Sequence, residues 1–319
     1  MKCLITGGAG FIGSHLSERL LEGGYEIVNL DNFNDYYDPS IKRRNITGLL
    51  PRAEYTLVES DILDREKLQR LFQQHRFDAI VHLAARAGVR PSIAQPLLYE
   101  QVNCEGTVNL LELARQHSVD KFIFGSSSSV YGENSKVPFA EEDRVDHPIS
   151  PYAATKKAGE LTCYTYHHLY KMKITCLRFF TVYGPRQRPD MAIHKFTKMI
   201  ANGEKVPMYG DGTSRRDFTF VADIVDGIEK ALNACSAYHI YNLGESRTID
   251  LRSLINLIQE CVGKRALIEQ LPLQPGDVPI TYADISKARR EIGYDPKVDI
   301  AEGIQRFVAW FKRNQTKGR

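Results

Sequence analysis

A glycine-rich segment near the start of the chain constrains the fold more than any other feature. Residues 7–13 read GGAGFIG, and they follow the short apolar run Cys3–Thr6 and open a longer amphipathic stretch. Glycines between a strand and a helix let backbone N–H groups and the helix N-terminus approach a pyrophosphate. The segment therefore predicts a dinucleotide site in a strand-turn-helix unit. The residues assigned to this site are Gly7, Gly10, Phe11, Ile12 and Gly13.

Short apolar runs continue to alternate with longer helical stretches, such as 65–74 and 102–117. This alternation is typical of the βαβ units that form a parallel sheet. The sequence therefore predicts an α/β fold, a Rossmann-type doubly wound parallel sheet. The expected strands lie at 4–5, 27–30, 55–59, 79–83, 122–124 and 174–178.

The alternation of strands and helices becomes less regular after the Pro- and Arg-rich stretch 184–189, which we interpret as a crossover. With 319 residues, the chain also exceeds a usual domain of roughly 100 to 200 residues. We expect a nucleotide-binding Rossmann domain over 1–184 and a smaller α/β substrate lobe over 185–319. A strand at 240–243 is expected to return to the large sheet, within a returning segment near 221–245.

Asp31 indicates which dinucleotide is bound. It lies 18 residues after Gly13, at the predicted end of the next strand. A carboxylate at this position accepts the ribose hydroxyls and repels a 2'-phosphate. The first basic residue that follows it is Lys42. NAD is therefore expected rather than NADP.

A tyrosine and a lysine, Tyr152 and Lys156, lie four positions apart in a predicted helix and so share one face. The lysine charge is expected to stabilise the phenolate and lower the tyrosine pKa, which would make the phenol a general base. Upstream, residues 125–132 read GSSSSVYG at the end of a predicted strand. Open α/β sheets bind ligands at such strand ends, where a hydroxyl would assist the tyrosine.

The charge balance and the cysteines narrow the class of protein. There are 42 basic and 39 acidic residues, a formal +3, with no long run of one sign. We therefore expect a small-molecule partner, and neither nucleic acid nor a membrane surface. The six cysteines lack CxxC spacing, which argues against a metal site or disulfides and for a reducing compartment. No 18 apolar residues run together and the start lacks signal-peptide features, so we expect a cytoplasmic protein.

The glycine loop, the serine-rich segment and the Tyr/Lys pair together resemble the extended short-chain dehydrogenase/reductase family, and the resemblance spans nearly the whole chain. It implies a catalytic set of Ser127, Tyr152 and Lys156. It also implies further cofactor contacts, at Asn32, Asp61, Ile62, Leu83, Ala84 and Ala85.

Three other segments, 32–38 (NFNDYYD), 188–192 (RPDMA) and 274–278 (QPGDV), resemble the UDP-glucuronate 4-epimerases of this family. The resemblance implies reversible C4 epimerisation of UDP-glucuronate to UDP-galacturonate, through a transient 4-keto sugar and tightly bound NAD. Helices near 105–117 and 152–171 resemble the pair that forms a dimer interface in the family, so a homodimer is expected.

The substrate residues follow from the same resemblance together with the chemistry of the ligand. A bidentate arginine suits phosphate oxygens, and Arg216 is expected to contact the diphosphate. Arg188 is chosen for the sugar carboxylate, because it follows Thr181 on a loop leaving a strand end. The remaining expected contacts are Thr181, Ser128 and Ser129 around the sugar, Phe196 and Tyr209 at the uracil, and Asp277.

Several other functions remain open at this point. A UDP-glucuronate decarboxylase begins with the same oxidation, and a 4-epimerase of a neutral or N-acetylated UDP-hexose needs no carboxylate partner. Galactose-type 4-epimerases usually carry Asn where Thr181 stands and Arg where Gln274 stands, and these two departures disfavour a neutral sugar. Dehydratases usually carry Asp-Glu in place of Ser128-Ser129, so dehydratase activity is also disfavoured. A catalytically silent NAD-binding scaffold would have no use for the Ser/Tyr/Lys set.

Overall fold

The computed structural model describes residues 1–272 and 278–315. The strands are β1 (Lys2–Thr6), β2 (Glu26–Asp31), β3 (Tyr55–Glu59), β4 (Ala79–His82), β5 (Lys121–Ser127), β6 (Lys173–Phe179), β7 (Thr181–Tyr183), β8 (Lys205–Tyr209), β9 (Arg215–Arg216), β10 (Phe218–Phe220), β11 (Tyr238–Leu243), β12 (Ile249–Asp250), β13 (Leu267–Leu271) and β14 (Ile280–Thr281). The helices are α1 (Phe11–Glu22), α2 (Pro39–Ile46), α3 (Arg65–Gln74), α4 (Val89–Ala94), α5 (Pro96–Glu100), α6 (Gly106–Gln116), α7 (Pro151–Tyr170), α8 (Ala192–Asn202), α9 (Val221–Ala234), α10 (Leu251–Val262), α11 (Ser286–Ile292) and α12 (Ile300–Gln315). A π-helical turn (Gln101–Glu105) precedes α6, and a 3-10 turn (Ser128–Tyr131) follows β5.

A parallel sheet organises the molecule. In the described part of the chain it has seven strands, in the order β11-β6-β5-β4-β1-β2-β3. β1 pairs with β2 on one side and with β4 on the other, both in parallel. The connections therefore reverse direction between β1 and β4, which opens a crevice at the carboxyl ends of these strands. The predicted doubly wound α/β fold is confirmed.

Buried side chains cover both faces of this sheet, because successive strand residues point to opposite sides. Cys3 and Ile5 join the cluster formed with α1 and α9. Leu4, between them, joins the second cluster, formed with α3, α6 and α7. The apolar runs seen in the sequence are thus strands buried on both faces.

The chain returns to this sheet after residue 184. Helix α9 packs against α1, and β11 extends the sheet by pairing in parallel with β6. Smaller sheets pair β7 with β10, β8 with β13, and β9 with β12 on one side and β14 on the other. Helix α10 packs on α8 and α12. The domain limits at 184/185 stay a prediction.

Helix α7 has a well-defined start. The Ser150 hydroxyl accepts a hydrogen bond from the Ala153 backbone N–H at 3.1 Å, and Pro151 occupies the first turn. These residues fix where the helix begins, and so where Tyr152 and Lys156 lie. Although α7 is 20 residues long, no helix within 1–272 and 278–315 is apolar enough over a sufficient length to cross a membrane.

Candidate active site

The glycine loop between β1 and α1 leaves no room for side chains. Gly7 has φ +70°, and a Cβ there would lie 2.8 Å from the Ala84 nitrogen. A Cβ on Gly13 would lie 2.4 Å from the Gly7 carbonyl oxygen. Only glycine therefore allows this turn to bring the start of α1 so close to the ends of β1 and β4.

Asp31 ends β2 beside this loop, and its buried carboxylate accepts three hydrogen bonds. The donors are the Ala9 N–H at 3.2 Å, the Phe33 N–H at 2.9 Å and the Lys42 ammonium at 3.0 Å. Lys42, from α2, is itself buried. Lys42 follows Asp31 by 11 residues in the sequence, but α2 folds back and brings it to the carboxylate.

The ends of β2 and β3 are joined by a side-chain contact. The Asn32 amide donates to the Asp61 carboxylate at 2.6 Å, and Asp61 also accepts the Leu63 N–H at 2.9 Å. Ile62, which lies between Asp61 and Leu63 in the sequence, packs against Gly106. Together they form the outer wall of a cavity that begins at the glycine loop.

This cavity has a volume of about 450 Å³. It is lined by every residue that the sequence analysis assigned to the cofactor and to catalysis: Gly7, Gly10, Phe11, Ile12, Gly13, Asp31, Asn32, Asp61, Ile62, Leu83, Ala84, Ala85, Ser127, Tyr152 and Lys156. The roles of these residues remain proposals, but the fold brings all of them to one cleft.

Lys156 lies at the floor of the cleft. Its buried ammonium donates to the Gly125 carbonyl at 2.7 Å and lies 5.1 Å from the centroid of the Phe124 ring. Burial disfavours the charged form and lowers the pKa of Lys156 to about 8. The ammonium is thus tied to β5, one turn away from Tyr152.

Tyr152 does not have the depressed pKa that the sequence predicted. Desolvation raises its pKa, while a hydrogen bond with Ser127 and the charge of Arg188 lower it by less. The prediction was wrong for the protein alone, because the Lys156 ammonium is directed to the Gly125 carbonyl. The Ser127 hydroxyl donates to the Ser129 hydroxyl at 3.1 Å and accepts the Ser129 N–H at 3.1 Å.

A second cavity, of about 590 Å³, adjoins the first. The two share lining residues, and three of these had been assigned to the sugar: Ser128, Ser129 and Thr181. Arg216 lines the second cavity, on the far side from the glycine loop. The pair of cavities therefore runs from the dinucleotide end to the proposed diphosphate end.

Arg188 lies in the wall of the first cavity. Its Nε and Nη2 atoms donate to the two carboxylate oxygens of Asp190, at 3.0 and 2.8 Å. The face of its guanidinium lies over Tyr36, with Cζ 5.1 Å from the ring centroid. The sequence analysis assigned no role to Tyr36 or Asp190, although both belong to the segments on which the resemblance rests.

Two substrate assignments gain no direct support from the structure, and a third lies outside the described residues. Phe196 is buried on α8 and, among the described residues, lines neither of the two cavities. Tyr209 lines neither cavity either, but its ring contacts Arg90 of the second cavity's lining, whose Cζ is 5.0 Å from the ring centroid. Asp277 falls outside the described residues.

Comparisons with known proteins show the family to which this chain belongs. The family described as GDP-mannose 4,6 dehydratase matches residues 4–307. A UDP-glucuronate 4-epimerase of Thermodesulfobacterium geofontis is 43% identical, over 98% of this chain and 96% of its own length. UDP-glucuronate 4-epimerase 4 of Arabidopsis thaliana is also 43% identical, over 97% of this chain and 74% of its own.

A solved structure matches almost throughout. It is the UDP-glucuronic acid 4-epimerase of Bacillus cereus in complex with UDP-glucuronic acid and NAD, with a TM-score of 0.93 and 38% identity, covering 98% of this chain and all of that one. The fold and the site define an enzyme of the extended short-chain dehydrogenase/reductase family. Within it, this chain belongs to the NAD-dependent sugar-nucleotide epimerases.

Proposed function

We propose that this protein interconverts UDP-glucuronate and UDP-galacturonate by inverting C4 of the sugar, using tightly bound NAD. The observation that carries the proposal is Arg188, a guanidinium in the wall of the cavity that Tyr152 also lines. Burial raises the pKa of Tyr152, and the Arg188 charge opposes that rise without overcoming it. A cation so close to the catalytic phenol is suited to a sugar that carries a carboxylate at C5, next to the reacting carbon.

The residues of the first cavity fit NAD. The Gly7–Gly13 loop excludes side chains where a pyrophosphate would approach, and the buried Asp31 carboxylate suits the ribose hydroxyls. The chemistry that NAD supplies when bound is reversible hydride transfer at C4 of the sugar. Lys42 lies 3.0 Å from Asp31 and would keep this carboxylate oriented.

The chain's own residues provide the proton chemistry. Tyr152 is the proposed base that takes the proton of the sugar 4-hydroxyl, which Ser127 helps to position. Because burial raises its pKa in the protein alone, the positive nicotinamide charge of bound NAD would be what favours the phenolate. Lys156 holds the floor of the site against Gly125. Arg216 is assigned to the diphosphate, about which the 4-keto sugar rotates to present its other face. Tyr152 then returns its proton to the C4 oxygen as C4 regains the hydride, which gives the inverted alcohol.

The carboxylate needs restraint as well as binding. Once C4 is a ketone, the C5 carboxylate belongs to a β-keto acid, which loses carbon dioxide when the carbon–carbon bond aligns with the carbonyl π system. Arg188, together with the hydroxyls of Thr181, Ser128 and Ser129, is proposed to keep the carboxylate out of that alignment. These hydroxyls line both cavities.

The test is to incubate the purified protein with UDP-glucuronate without added reductant, and to follow the products by proton NMR and mass spectrometry. A product of unchanged mass with an inverted C4 proton pattern supports the 4-epimerase. Loss of carbon dioxide would instead make the protein a decarboxylase. Turnover of UDP-glucose or UDP-N-acetylglucosamine without turnover of UDP-glucuronate would overturn the role of Arg188.

We also propose that the protein is a homodimer. Large apolar side chains are exposed on α6 and α7: Val108, Leu161, Tyr164, Leu169 and Tyr170. Packing these two helices against their counterparts would remove that surface from water. The proposal predicts that Leu161→Glu shifts the mass measured by light scattering from dimer to monomer, whereas Leu267→Glu, on the exposed strand β13, does not.

The free cysteines support a cytoplasmic location.

A further inference from the structure

The loop between β7 and α8 holds the Arg188 guanidinium along one edge. Asp190, two residues further on, takes the Nε and Nη2 hydrogens with its two carboxylate oxygens, at 3.0 and 2.8 Å. The loop itself is closed by a backbone hydrogen bond from the Met191 N–H to the Arg188 carbonyl at 3.2 Å. Arginine and aspartate are thereby kept side by side.

A second contact fixes the plane of the same guanidinium. Tyr36 lies under its face at 5.1 Å and is itself held by a hydrogen bond from its hydroxyl to the Ala87 carbonyl at 2.8 Å. One edge and one face of Arg188 are thus occupied by two separate segments of the chain. Among the described residues, the hydrogen bonds of Arg188 come from Nε and Nη2, and none comes from Nη1.

We propose that Asp190 is a positioning residue, which orients Arg188 so that the remaining Nη1–Nη2 edge binds the carboxylate of the sugar. The inference rests on the proposed function. A guanidinium has two edges that can each bind a carboxylate with two parallel hydrogen bonds. Because Asp190 occupies one edge, the ligand carboxylate can bind only at the other.

This arrangement gives Asp190 a role in product control. A single arginine charge shared between two carboxylates binds the ligand more weakly than an unshared one, so affinity alone does not explain Asp190. What it adds is a fixed direction, because arginine otherwise has many rotamers. A carboxylate held in one direction stays out of line with the C4 carbonyl.

Without that restraint, the side reaction is well defined. The bond between C5 and the carboxylate carbon breaks, and carbon dioxide leaves. The bonding electron pair passes into the C4 carbonyl as an enolate, which takes a proton at C5. Return of the hydride to C4 then yields a UDP-pentose. The ratio of pentose to hexuronate product therefore measures how well the carboxylate is held.

The test compares Asp190→Asn with the wild-type enzyme on UDP-glucuronate. Arg144 and Asp146 form an exposed ion pair at 3.5 Å with the same two-residue spacing, so Asp146→Asn is a matched control. We expect Asp190→Asn to raise the pentose-to-hexuronate ratio by about tenfold or more, the effect of losing hydrogen bonds to a charged group. The affinity for UDP alone should stay unchanged. Asp146→Asn should leave both the product ratio and the UDP affinity at wild-type values.

A second variant checks the same idea from another segment. Tyr36→Leu removes the ring under Arg188 and should also raise the pentose fraction.

Asp190 is exposed, and thermal melting will verify that its variant is folded. An unchanged product ratio in Asp190→Asn, with the wild type forming UDP-galacturonate, would overturn this inference alone. A wild type inert toward UDP-glucuronate would overturn the proposed function and this inference with it.

Discussion

Glu160 and Arg178 form a buried bidentate ion pair behind the proposed catalytic residues. The Nε and Nη2 atoms of Arg178 each lie 2.9 Å from a Glu160 oxygen, and both side chains are 1% exposed. The Ser126 hydroxyl donates to the same carboxylate at 2.7 Å. Although burial raises the pKa of Glu160, Arg178 holds it below its ordinary value. The pair joins α7 to β5 and β6.

Breaking this pair should destabilise the protein strongly. Glu160→Gln leaves the Arg178 charge buried without its partner, and such a loss costs about 3 to 5 kcal/mol. Replacing both residues by methionine should cost less than this single change, because no charge is left uncompensated. Urea denaturation measures the free energy of unfolding of the single and the double variant. The exposed pair of Arg43 and Glu59 supplies the control, and Glu59→Gln should cost less than about 1 kcal/mol.

Tyr152→Phe should keep the fold and lose the chemistry. The phenol is the proposed acid-base group, and removing such a group lowers the rate about 10²- to 10⁴-fold. Epimerisation followed by NMR, with UDP-glucuronate binding measured by calorimetry, separates catalysis from affinity. Tyr164→Phe, at an exposed position of the same helix, is the control. A Tyr152→Phe rate within tenfold of wild type would remove the tyrosine from the proposed mechanism.

Gly13→Ala should weaken NAD binding. The added Cβ would lie 2.4 Å from the Gly7 oxygen and 2.6 Å from the Gly8 Cα, so the loop must shift. The shift in melting temperature on adding NAD to protein freed of the cofactor measures the loss. Gly48→Ala is the matched control, because its Cβ would meet no atom within 4 Å. Equal NAD-dependent shifts in the two variants would contradict the assigned role of the loop.

The sequence was sufficient for the sheet and for the outline of the cleft. Strands buried on both faces appear as short apolar runs, and the carboxyl ends of parallel strands meet at one edge. Residues as far apart as Gly7, Asp61 and Ser127 could therefore be expected at one edge, although the roles of Asp61 and Ser127 came from the resemblance to the family. Helical periodicity would also have indicated that Phe196 is buried. It repeats with the other buried positions of α8, namely Ile193, Thr197 and Ile200.

Contacts between distant side chains could not be predicted in the same way. The path of the loop before α2 brings Lys42 to Asp31, and no pattern within either segment indicates it. The pairing of Glu160 with Arg178 depends on how α7 lies across β6. The pKa of Tyr152 was predicted with the wrong sign for a related reason. Sequence spacing indicated that Lys156 was near, but not that its ammonium is bonded to Gly125.

Arg188→His should divert part of the product to a UDP-pentose. A shorter, single-donor ring cannot form the two parallel hydrogen bonds of a guanidinium, so the carboxylate can rotate into line with the C4 carbonyl. Mass spectrometry detects the loss of carbon dioxide, and NMR identifies the sugar. The exposed Arg144→His serves as the control. If Arg188→His yields only UDP-galacturonate and no pentose, Arg188 has no part in restraining the carboxylate.

Glu245 is a half-buried acid that should make stability depend on pH. Among the described residues its Oε2 atom has no hydrogen-bond partner, and its backbone N–H donates to the Asp217 carboxylate at 2.8 Å. Burial, followed by the charges of Asp223 and Asp217, raises the pKa of Glu245 from 4.5 to about 7. Ionising this carboxyl in the folded protein is therefore unfavourable at neutral pH.

The direction of the effect follows from proton binding. Between pH 4.5 and 7 the folded protein holds a proton on Glu245 that the unfolded chain has released, so the contribution of this group to stability falls as pH rises. Glu245→Gln removes that loss. We expect the melting temperature of the variant, relative to wild type, to increase from pH 4.5 to pH 7 and then to level off. The raised pKa of Asp217, about 6, adds a slope to both proteins, and because the Asp217 charge also acts on Glu245, the difference reports the titration of the two groups together. Glu269→Gln, at an exposed position of β13, controls for loss of a surface carboxyl. A difference between Glu245→Gln and wild type that stays constant from pH 4 to pH 8 would show that Glu245 does not titrate in this range.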